Sequence, residues 1–194
     1  MGCLCMEFKE IKLRHKGKFL RVYDFIYRNN ANNLKTYEVI SRDDILGIED
    51  VSMNDAMAVV LFVLNKDHTK ILLNKEFRMA VNNYVINMPA GLIEKDESIE
   101  ETAIRELKEE TGLDLIKILD IMPPSYSAVG VSNEKTICII CEAEGIIGGN
   151  PEPDEDIQAF WVDKSEAEEL YNNKNILLAA RTQMLLYMWF RNKE

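Results

Sequence analysis

Hydrophobic and polar residues alternate along much of the first forty positions of the chain, a pattern typical of β-strands with one covered face. Two short polar segments, KGK and NNANN, interrupt the alternation and are predicted to form turns. The pattern therefore predicts three consecutive antiparallel strands, at residues 9–15, 19–28 and 35–42. The polar and acidic residues 43–55 that follow are predicted to form a connector.

A different pattern begins with AMAVVLFVL, residues 56–64, where every position is apolar. Such a short continuous run indicates a strand that is buried on both faces. Alternation and helical spacing predict the remaining elements, with Asp163 as a helix N-cap. The further predicted strands are residues 69–77, 84–88, 115–122, 135–144 and 158–162, and the predicted helices are residues 98–111, 164–171 and 176–191. The whole is an α/β domain at residues 51–194, preceded by a small β extension at residues 1–50.

Composition narrows the classes of function. The 194 residues carry a net charge of -10, which argues against a general affinity for nucleic acid or for anionic membranes. No stretch approaches the roughly 18 apolar residues of a membrane span, and a cytoplasmic location is expected. Cys138 and Cys141 lie in the apolar run TICIIC and are expected to be buried free thiols rather than a metal or redox pair.

The stretch GLIEKDESIEETAIRELKEETGL carries the densest charge in the chain. Ser98 followed by Glu101 forms a capping-box pattern, which predicts a helix start at Ser98, and Gly112 is predicted to end the helix. The apolar stripe of this helix, which is expected to pack on the core, consists of Ala103, Ile104 and Leu107.

Three carboxylates lie close together on the predicted helix. At about 100° per residue, Glu106, Glu109 and Glu110 spread over roughly 100° of its surface. Their mutual repulsion and the negative end of the helix dipole both oppose them. A divalent cation would remove both penalties, and carboxylate oxygens suit Mg²⁺ or Mn²⁺. The alternative is a solvated acidic helix face.

The spacing of the stretch distinguishes these alternatives, because it resembles the Nudix box G-x5-E-x7-R-E-U-x-E-E-x-G-U, where U is a bulky apolar residue. Every defined position matches, with Gly91, Glu97, Arg105, Glu106, Leu107, Glu109, Glu110, Gly112 and Leu113. The resemblance implies the Nudix fold, an α/β/α sandwich with a mixed sheet, and hydrolysis of a nucleoside diphosphate linked to another group.

The resemblance also implies roles for individual residues. Cation ligands would be Glu106, Glu109, Glu110 and the carbonyl of Ala90, with Glu109 also counted among the catalytic residues. Gly91 would let the backbone approach the ions and, with Leu92, contact substrate. Glu97 and Arg105 would pair and brace the loop against the helix.

Beyond the box, the chain is similar to the ADP-ribose and nucleotide-sugar pyrophosphatase branch of the family. NMPAGLIE, residues 87–94, and SYSAVGVSNE, residues 125–134, resemble segments of that branch. The branch implies a homodimer and a small-molecule nucleoside diphosphate sugar as substrate. Arg78 would contact a phosphate, and Arg42 would reach the partner's substrate. Phe19 and Tyr23 would either stack on a base across the dimer or belong to the core.

Two features bear on the reaction and its substrate. The branch has its general base in an acidic loop well after the box, and PEPDEDIQ, residues 151–158, resembles that loop. The resemblance implies Glu152 as the base and Glu155 as a further metal ligand. The branch has a proline about sixteen residues past the box, and this chain has Val129 there. Substrates other than ADP-ribose, such as a UDP- or GDP-sugar, therefore stay open. A sensor that binds a nucleotide sugar without cleaving it is a further alternative.

Overall fold

The computed structural model describes residues 6–53, 55–149 and 155–192, without the side chains of residues 52 and 53. Two compact units contain these residues. One lies within Met1–Met57 and Pro124–Thr136, and the other within Ala58–Pro123 and Ile137–Glu194. The predicted domain boundary at residue 50 stays a prediction. Within the described residues, no helix is both long and apolar enough to cross a bilayer.

The first unit contains an antiparallel sheet in the order β1-β2-β3. The three strands are β1 (Glu7–Lys16), β2 (Arg21–Arg28) and β3 (Leu34–Ser41), close to the predicted bounds. Tyr23, Phe25, Val39 and Ile45 form its small core. Val51 packs on that core from helix α1 (Ile48–Met53), which the sequence analysis had assigned to a connector. That prediction was wrong because one short amphipathic turn leaves too few residues to show a period.

The second unit is built on a sheet in the order β11-β5-β4-β10-β8, in which β6 also pairs with β5 and β7 with β4. The strands are β4 (Ala58–Leu64), β5 (Ile71–Arg78), β6 (Asn83–Asn87), β7 (Ala90–Leu92), β8 (Asp114–Ile121), β9 (Ser125–Tyr126), β10 (Lys135–Glu144) and β11 (Ile157–Val162). Strand β9 belongs to the first unit, where it pairs with the start of β10. The two strands that the sequence analysis missed, β7 and β9, have three and two residues.

Strand β4 is covered on both faces, as its unbroken apolar run predicts. Val60 and Leu64 pack in one cluster with Leu186 of the last helix. Val59 and Leu61 point to the other face and are also fully buried. Helix α2 (Ile99–Thr111) packs against β4, β7, β8 and β11, and helices α3 (Lys164–Asn172) and α4 (Ala180–Arg191) pack against each other. The expected α/β class, with a mixed sheet and a small antiparallel N-terminal sheet, is confirmed.

Helix α4 begins later than predicted. The sequence analysis placed its start at Ile176, whereas the helix starts at Ala180. The intervening residues run alongside β6 instead: Ile86 N–H donates to the Leu177 carbonyl at 2.8 Å, and Ala179 N–H donates to the Ile86 carbonyl at 3.0 Å. Backbone pairing with a strand about ninety positions earlier in the chain therefore displaces the first helical turn, and local spacing does not reveal it.

Candidate active site

Helix α2 begins and ends where the sequence analysis placed its boundaries. The Glu101 N–H donates to the Ser98 hydroxyl at 3.2 Å, and the Ser98 N–H donates to the Glu101 carboxylate at 2.8 Å. At the other end Gly112 has φ 79°, a left-handed conformation that favours glycine, and its N–H donates to the Lys108 carbonyl. These local signals fix the two ends of the helix.

The buried face of α2 differs from the predicted stripe at one position. Ala103 and Leu107 are fully buried as expected, but Ile104 is 52% exposed, so its assignment to the core was wrong. Glu110 takes the inward place instead and is only 7% exposed. It follows Ala103 by seven residues, about two turns, and so lies on the same side of the helix. A carboxylate therefore lies on the packed face of the helix, where an apolar residue would stabilise the fold more.

Glu110 is held inside the protein by two donors. Its Oε2 accepts a hydrogen bond of 2.8 Å from Asn74 Nδ2 and one of 3.2 Å from the Ala90 N–H. Burial raises the pKa of Glu110 well above its ordinary value, and the carboxylates of Glu106 and Glu76 raise it further. A positive charge placed beside Glu110 would reverse this shift.

Glu106 and Glu109 both contact Arg105. The Nη1 of Arg105 donates to Glu106 Oε1 at 2.7 Å and to Glu109 Oε2 at 3.1 Å. Burial raises the pKa of Glu106, although Arg105 opposes that rise. The Glu109 side chain is half exposed, at 51%. The arginine thus supplies a positive charge between these two carboxylates.

Arg105 is also bound to the loop that precedes the helix. Its Nε and Nη2 donate to the two oxygens of Glu97, each at 2.9 Å, and Nη2 donates to the Leu92 carbonyl at 3.0 Å. Thr102 donates a further hydrogen bond of 2.7 Å to Glu97. Arg105 and Thr102 lower the pKa of Glu97 to about 2. This two-pronged pair is the one expected from the sequence, and it ties the loop to the helix.

Ala90 and Gly91 belong to strand β7 and lie directly against this helix face. The strand is held by pairing of Ala90 with Val60 and of Gly91 with Val59. A Cβ built on Gly91 would lie 1.7 Å from the carboxyl carbon of Glu106. The glycine is therefore required by the close approach of the Glu106 side chain.

The three box carboxylates do not converge on one point. Among the residues that the structure describes, no group of three His, Cys, Asp or Glu side chains is arranged to hold a metal ion. The reason is their present pairing, since Glu110 turns inward to Asn74 while Glu106 and Glu109 turn to Arg105.

The donor set nevertheless fits a hard divalent cation, because it consists of oxygens only. Next to this set, Asn74 Oδ1 is buried and has no hydrogen-bond partner among the described residues. The assignment of Ala90, Glu106, Glu109 and Glu110 as ligands stays a prediction.

A cavity of about 260 Å³ brings two further predicted residues to one place. Arg78 and Glu155 both line it, together with Glu76. Arg78 is ion-paired with Glu76 and its side chain is mostly exposed. Glu155 contributes to the raised pKa values of both Glu106 and Glu110.

The residue after Glu155 is held in place by two contacts. Asp156 accepts a hydrogen bond from the Tyr84 hydroxyl through its carboxylate and one from the Phe77 N–H through its carbonyl. Glu152 lies outside the described residues.

The remaining predicted residues belong to the first unit. Arg42 forms a 3.1 Å ion pair with Glu134. Phe19 is 64% exposed and is open to contacts. Tyr23 is buried in the core of this unit, where its hydroxyl accepts a hydrogen bond of 2.9 Å from the Ile45 N–H. Of the two interpretations of Tyr23, the core one is therefore confirmed.

Sequence reasoning missed three residues near the carboxylates. Asn74 and Glu76 interrupt the apolar strand ILLNKEFR two positions apart, so they share a face, and that pattern was the available signal. Gly149 packs against the end of α2, where a Cβ would lie 2.5 Å from the Glu110 backbone. The double glycine at 148–149 was the corresponding signal.

The prediction of buried free thiols is confirmed for Cys141, whereas Cys138 is free but only partly buried. Cys138 and Cys141 are free thiols, and Cys141 is fully buried. Burial raises the pKa of Cys138, and it raises that of Cys141 to about 12. Neither thiol has the lowered pKa of a reactive cysteine.

Comparison with known proteins identifies the family. The family model described as the NUDIX domain matches residues 54–181, which is more than half of the chain. The chain belongs to the Nudix family. Among solved structures, one described as an ADP compounds hydrolase matches with a TM-score of 0.67 and 16% identity, covering 96% of this chain and 94% of the other. At that identity the match shows the fold alone, and the expected Nudix fold is confirmed.

Curated Nudix relatives carry pyrophosphatase names. An ADP-ribose pyrophosphatase of Bacillus subtilis is 30% identical over 124 residues, which are 63% of this chain and 66% of the relative. An ADP-sugar pyrophosphatase of Mus musculus is 29% identical over 143 residues, which are 73% of this chain and 63% of the relative. The matches therefore span less than two thirds of the length of these relatives.

Proposed function

We propose that this Nudix protein hydrolyses the diphosphate bond of ADP-ribose or a related nucleoside diphosphate sugar, with Mg²⁺ or Mn²⁺ as cofactor. The products would be a nucleoside monophosphate and a sugar phosphate, which for ADP-ribose are AMP and ribose 5-phosphate. The observation that carries the proposal is the packing of Glu106 and Glu110 against Ala90 and Gly91 of strand β7. The pair of Arg105 and Glu97 braces this contact. The names of the relatives support the substrate class.

Oxygens of the box and of the loop at Glu155 would hold the cation. The proposed ligands are the Ala90 carbonyl and the carboxylates of Glu106, Glu109, Glu110 and Glu155. When bound, a divalent cation neutralises charge on a diphosphate and lowers the pKa of an attacking water. Its charge also favours the ionised forms of Glu106 and Glu110, whose pKa values burial raises.

Residues of the chain bind and orient the substrate around that point. Arg78 lies on the same cavity as Glu155 and is proposed to leave Glu76 for a phosphate oxygen. Glu97 holds Arg105 in two-pronged contact, so this pair keeps Gly91 and Leu92 in place beside the substrate. Glu152 is proposed as the general base that accepts a proton from the attacking water.

A second copy of the chain is proposed to complete the substrate site. The first unit exposes several large apolar side chains, namely Leu13, Phe19, Leu34, Tyr37 and Leu46. An interface between two copies would remove these apolar side chains from water. Arg42 and Phe19 would then contact the substrate of the partner. Light scattering coupled to gel filtration tests the dimer, and a monomer at micromolar concentration contradicts it.

Two rivals follow from specific residues. Val129 stands where the branch has a proline, which keeps a UDP- or GDP-sugar open as the substrate. A sensor that binds a nucleotide sugar without cleaving it is disfavoured, because the box keeps every glutamate.

The deciding experiment is a cleavage assay on ADP-ribose, UDP-glucose and GDP-mannose, each with Mg²⁺ and with EDTA, with products separated by anion-exchange chromatography. We expect Mg²⁺-dependent cleavage of at least one compound into two monophosphates, and loss of cleavage in Glu109→Gln. Preference for a UDP- or GDP-sugar selects the first rival. Tight binding of one compound without cleavage of any selects the sensor.

A further inference from the structure

Asn74 is a polar residue in the interior of strand β5, directly after the apolar residues 71–73. It is 2% exposed and lies between its neighbours on two strands, Asn87 of β6 and Ala159 of β11. Asparagine is depleted in strands, and a buried amide requires partners for both of its ends. The position therefore calls for an explanation other than the stability of the sheet.

The hydrogen bonds of Asn74 serve one carboxylate. Its Nδ2 donates to Glu110 Oε2 at 2.8 Å, and the Ala90 N–H donates to the same oxygen at 3.2 Å. Among the described residues, the other Glu110 oxygen, Oε1, accepts no hydrogen bond, and Asn74 Oδ1 has no partner. Both donors thus act on one oxygen of Glu110 and leave the second one unused.

Packing alone does not account for this arrangement. Leucine has the same number and branching of side-chain heavy atoms as asparagine and carries no polar atom that burial would leave unpaired. An amide turned the other way would bring its oxygen to 2.8 Å from the Glu110 carboxylate, where the two would repel. The side chain present is therefore the one that supplies a donor to Glu110 Oε2, at the cost of an unpaired Oδ1.

We propose that Asn74 is a positioning residue of the cation site, which together with the Ala90 N–H holds Glu110 Oε2 so that Oε1 is presented to the divalent cation. The inference rests on the proposed function, because it needs a cation at the box carboxylates. Partners of this kind, which orient a ligand without touching the metal, typically change metal affinity about 10- to 100-fold when they are removed.

The test is a Mn²⁺ titration followed by electron paramagnetic resonance of the free ion, on the full chain without substrate. Asn74→Leu removes the donor while keeping the branching of the side chain, and Asn74→Ala removes it without adding bulk. We expect both to bind Mn²⁺ about 10- to 100-fold more weakly than the unaltered protein. Thermal unfolding by circular dichroism shows which variants are folded, and either folded variant decides the question.

The matched control is Asn87→Leu. Asn87 lies directly opposite Asn74 in the sheet, but its Oδ1 accepts from the Met88 N–H and the Thr182 hydroxyl rather than serving a carboxylate. We expect this variant to keep the Mn²⁺ affinity of the unaltered protein.

The outcomes separate the two proposals. If Glu110→Gln loses Mn²⁺ binding while the Asn74 variants keep it, the role of Asn74 is overturned and the proposed function stands. Equal weakening in Asn87→Leu also overturns it, since the effect would then come from the sheet. If the unaltered protein binds no Mn²⁺, the proposed cofactor fails, and the inference about Asn74 fails with it.

Discussion

The two halves of helix α2 are both acidic, but their acidic residues have opposite relations to the fold. In the first turn, Glu100 and Glu101 lie at the positive end of the helix dipole, and Glu101 closes the capping box with Ser98. In the last turns, Glu106, Glu109 and Glu110 lie at the negative end. There Glu110 replaces an apolar residue on the packed face, with a raised pKa.

The difference separates what folding explains from what it does not. Folding alone accounts for the first half, because each charge there satisfies a backbone donor or the dipole. The second half carries charges that repel one another and oppose burial. Arg105 compensates Glu106 and Glu109 but does not reach Glu110. The proposed role of these carboxylates in binding a cation would account for the remainder, and this contrast can be tested by substitution.

The largest expected effect is that of Glu110→Gln. Loss of one proposed ligand should lower turnover about 10²-fold or more, since a catalytic metal contributes several kcal/mol to the transition state. Without metal, the unfolding temperature should not fall, because the variant removes a buried charge. Glu101→Gln, in the first half of the helix, is the control and should retain turnover. Measured turnover of Glu110→Gln above a tenth of the unaltered value contradicts the contrast.

A second substitution tests strand β7, which faces helix α2. Gly91→Ala places a Cβ where the Glu106 carboxylate lies, and the side chain must move away. Metal affinity should fall about tenfold, with a smaller effect on stability. Isothermal titration with Mn²⁺ measures the change. Gly130→Ala is the control, because a Cβ there meets no atom within 4 Å. Equal Mn²⁺ affinity in both variants argues against a role of strand β7 in the cation site.

A smaller effect is expected at the start of the helix. Ser98→Ala removes the cap and should lower the free energy of unfolding by about 1 kcal/mol, with turnover unchanged when the protein is folded. Asp163→Ala removes the equivalent cap of α3 and should cost a similar amount. Urea unfolding measures both. A strong loss of turnover in folded Ser98→Ala would show that the first half is not only structural.

The smallest effect concerns pH and the brace between the loop and the helix. Arg105 and Thr102 lower the pKa of Glu97 from 4.5 to about 2. The lowered value means that this carboxylate stabilises the fold fully above pH 4.5 and that the contribution is lost as the pH falls through about 2. The stability difference between the unaltered protein and Glu97→Gln should therefore be constant from pH 7 to pH 5 and shrink below pH 4.5. Urea unfolding across this range checks it, and a difference independent of pH contradicts the pairing.

Local signals in the sequence predicted the bounds of helix α2, whereas contacts between distant segments were not predicted. The bounds of α2 followed from Ser98, Glu101 and Gly112, which act within one or two turns. The predicted buried stripe was right at Ala103 and Leu107 and wrong at Ile104, and the inward place of Glu110 was not predicted, because its partner Asn74 lies 36 positions away in another strand. The start of α4 was missed for the same reason, since residues 176–179 pair with Ile86. Contacts between separated segments have no signature in local spacing.

The measurement that tests the central claim most directly is an anomalous difference map from crystals of the protein soaked in Mn²⁺. The claim is that the second half of α2 and strand β7 at Ala90 and Gly91 form a divalent cation site. The predicted result is a manganese peak bonded to at least two of Glu106, Glu109 and Glu110, with Arg105 withdrawn from the carboxylates that bind it. A map in which Arg105 still bridges Glu106 and Glu109 and no peak lies beside Glu110 would contradict the account.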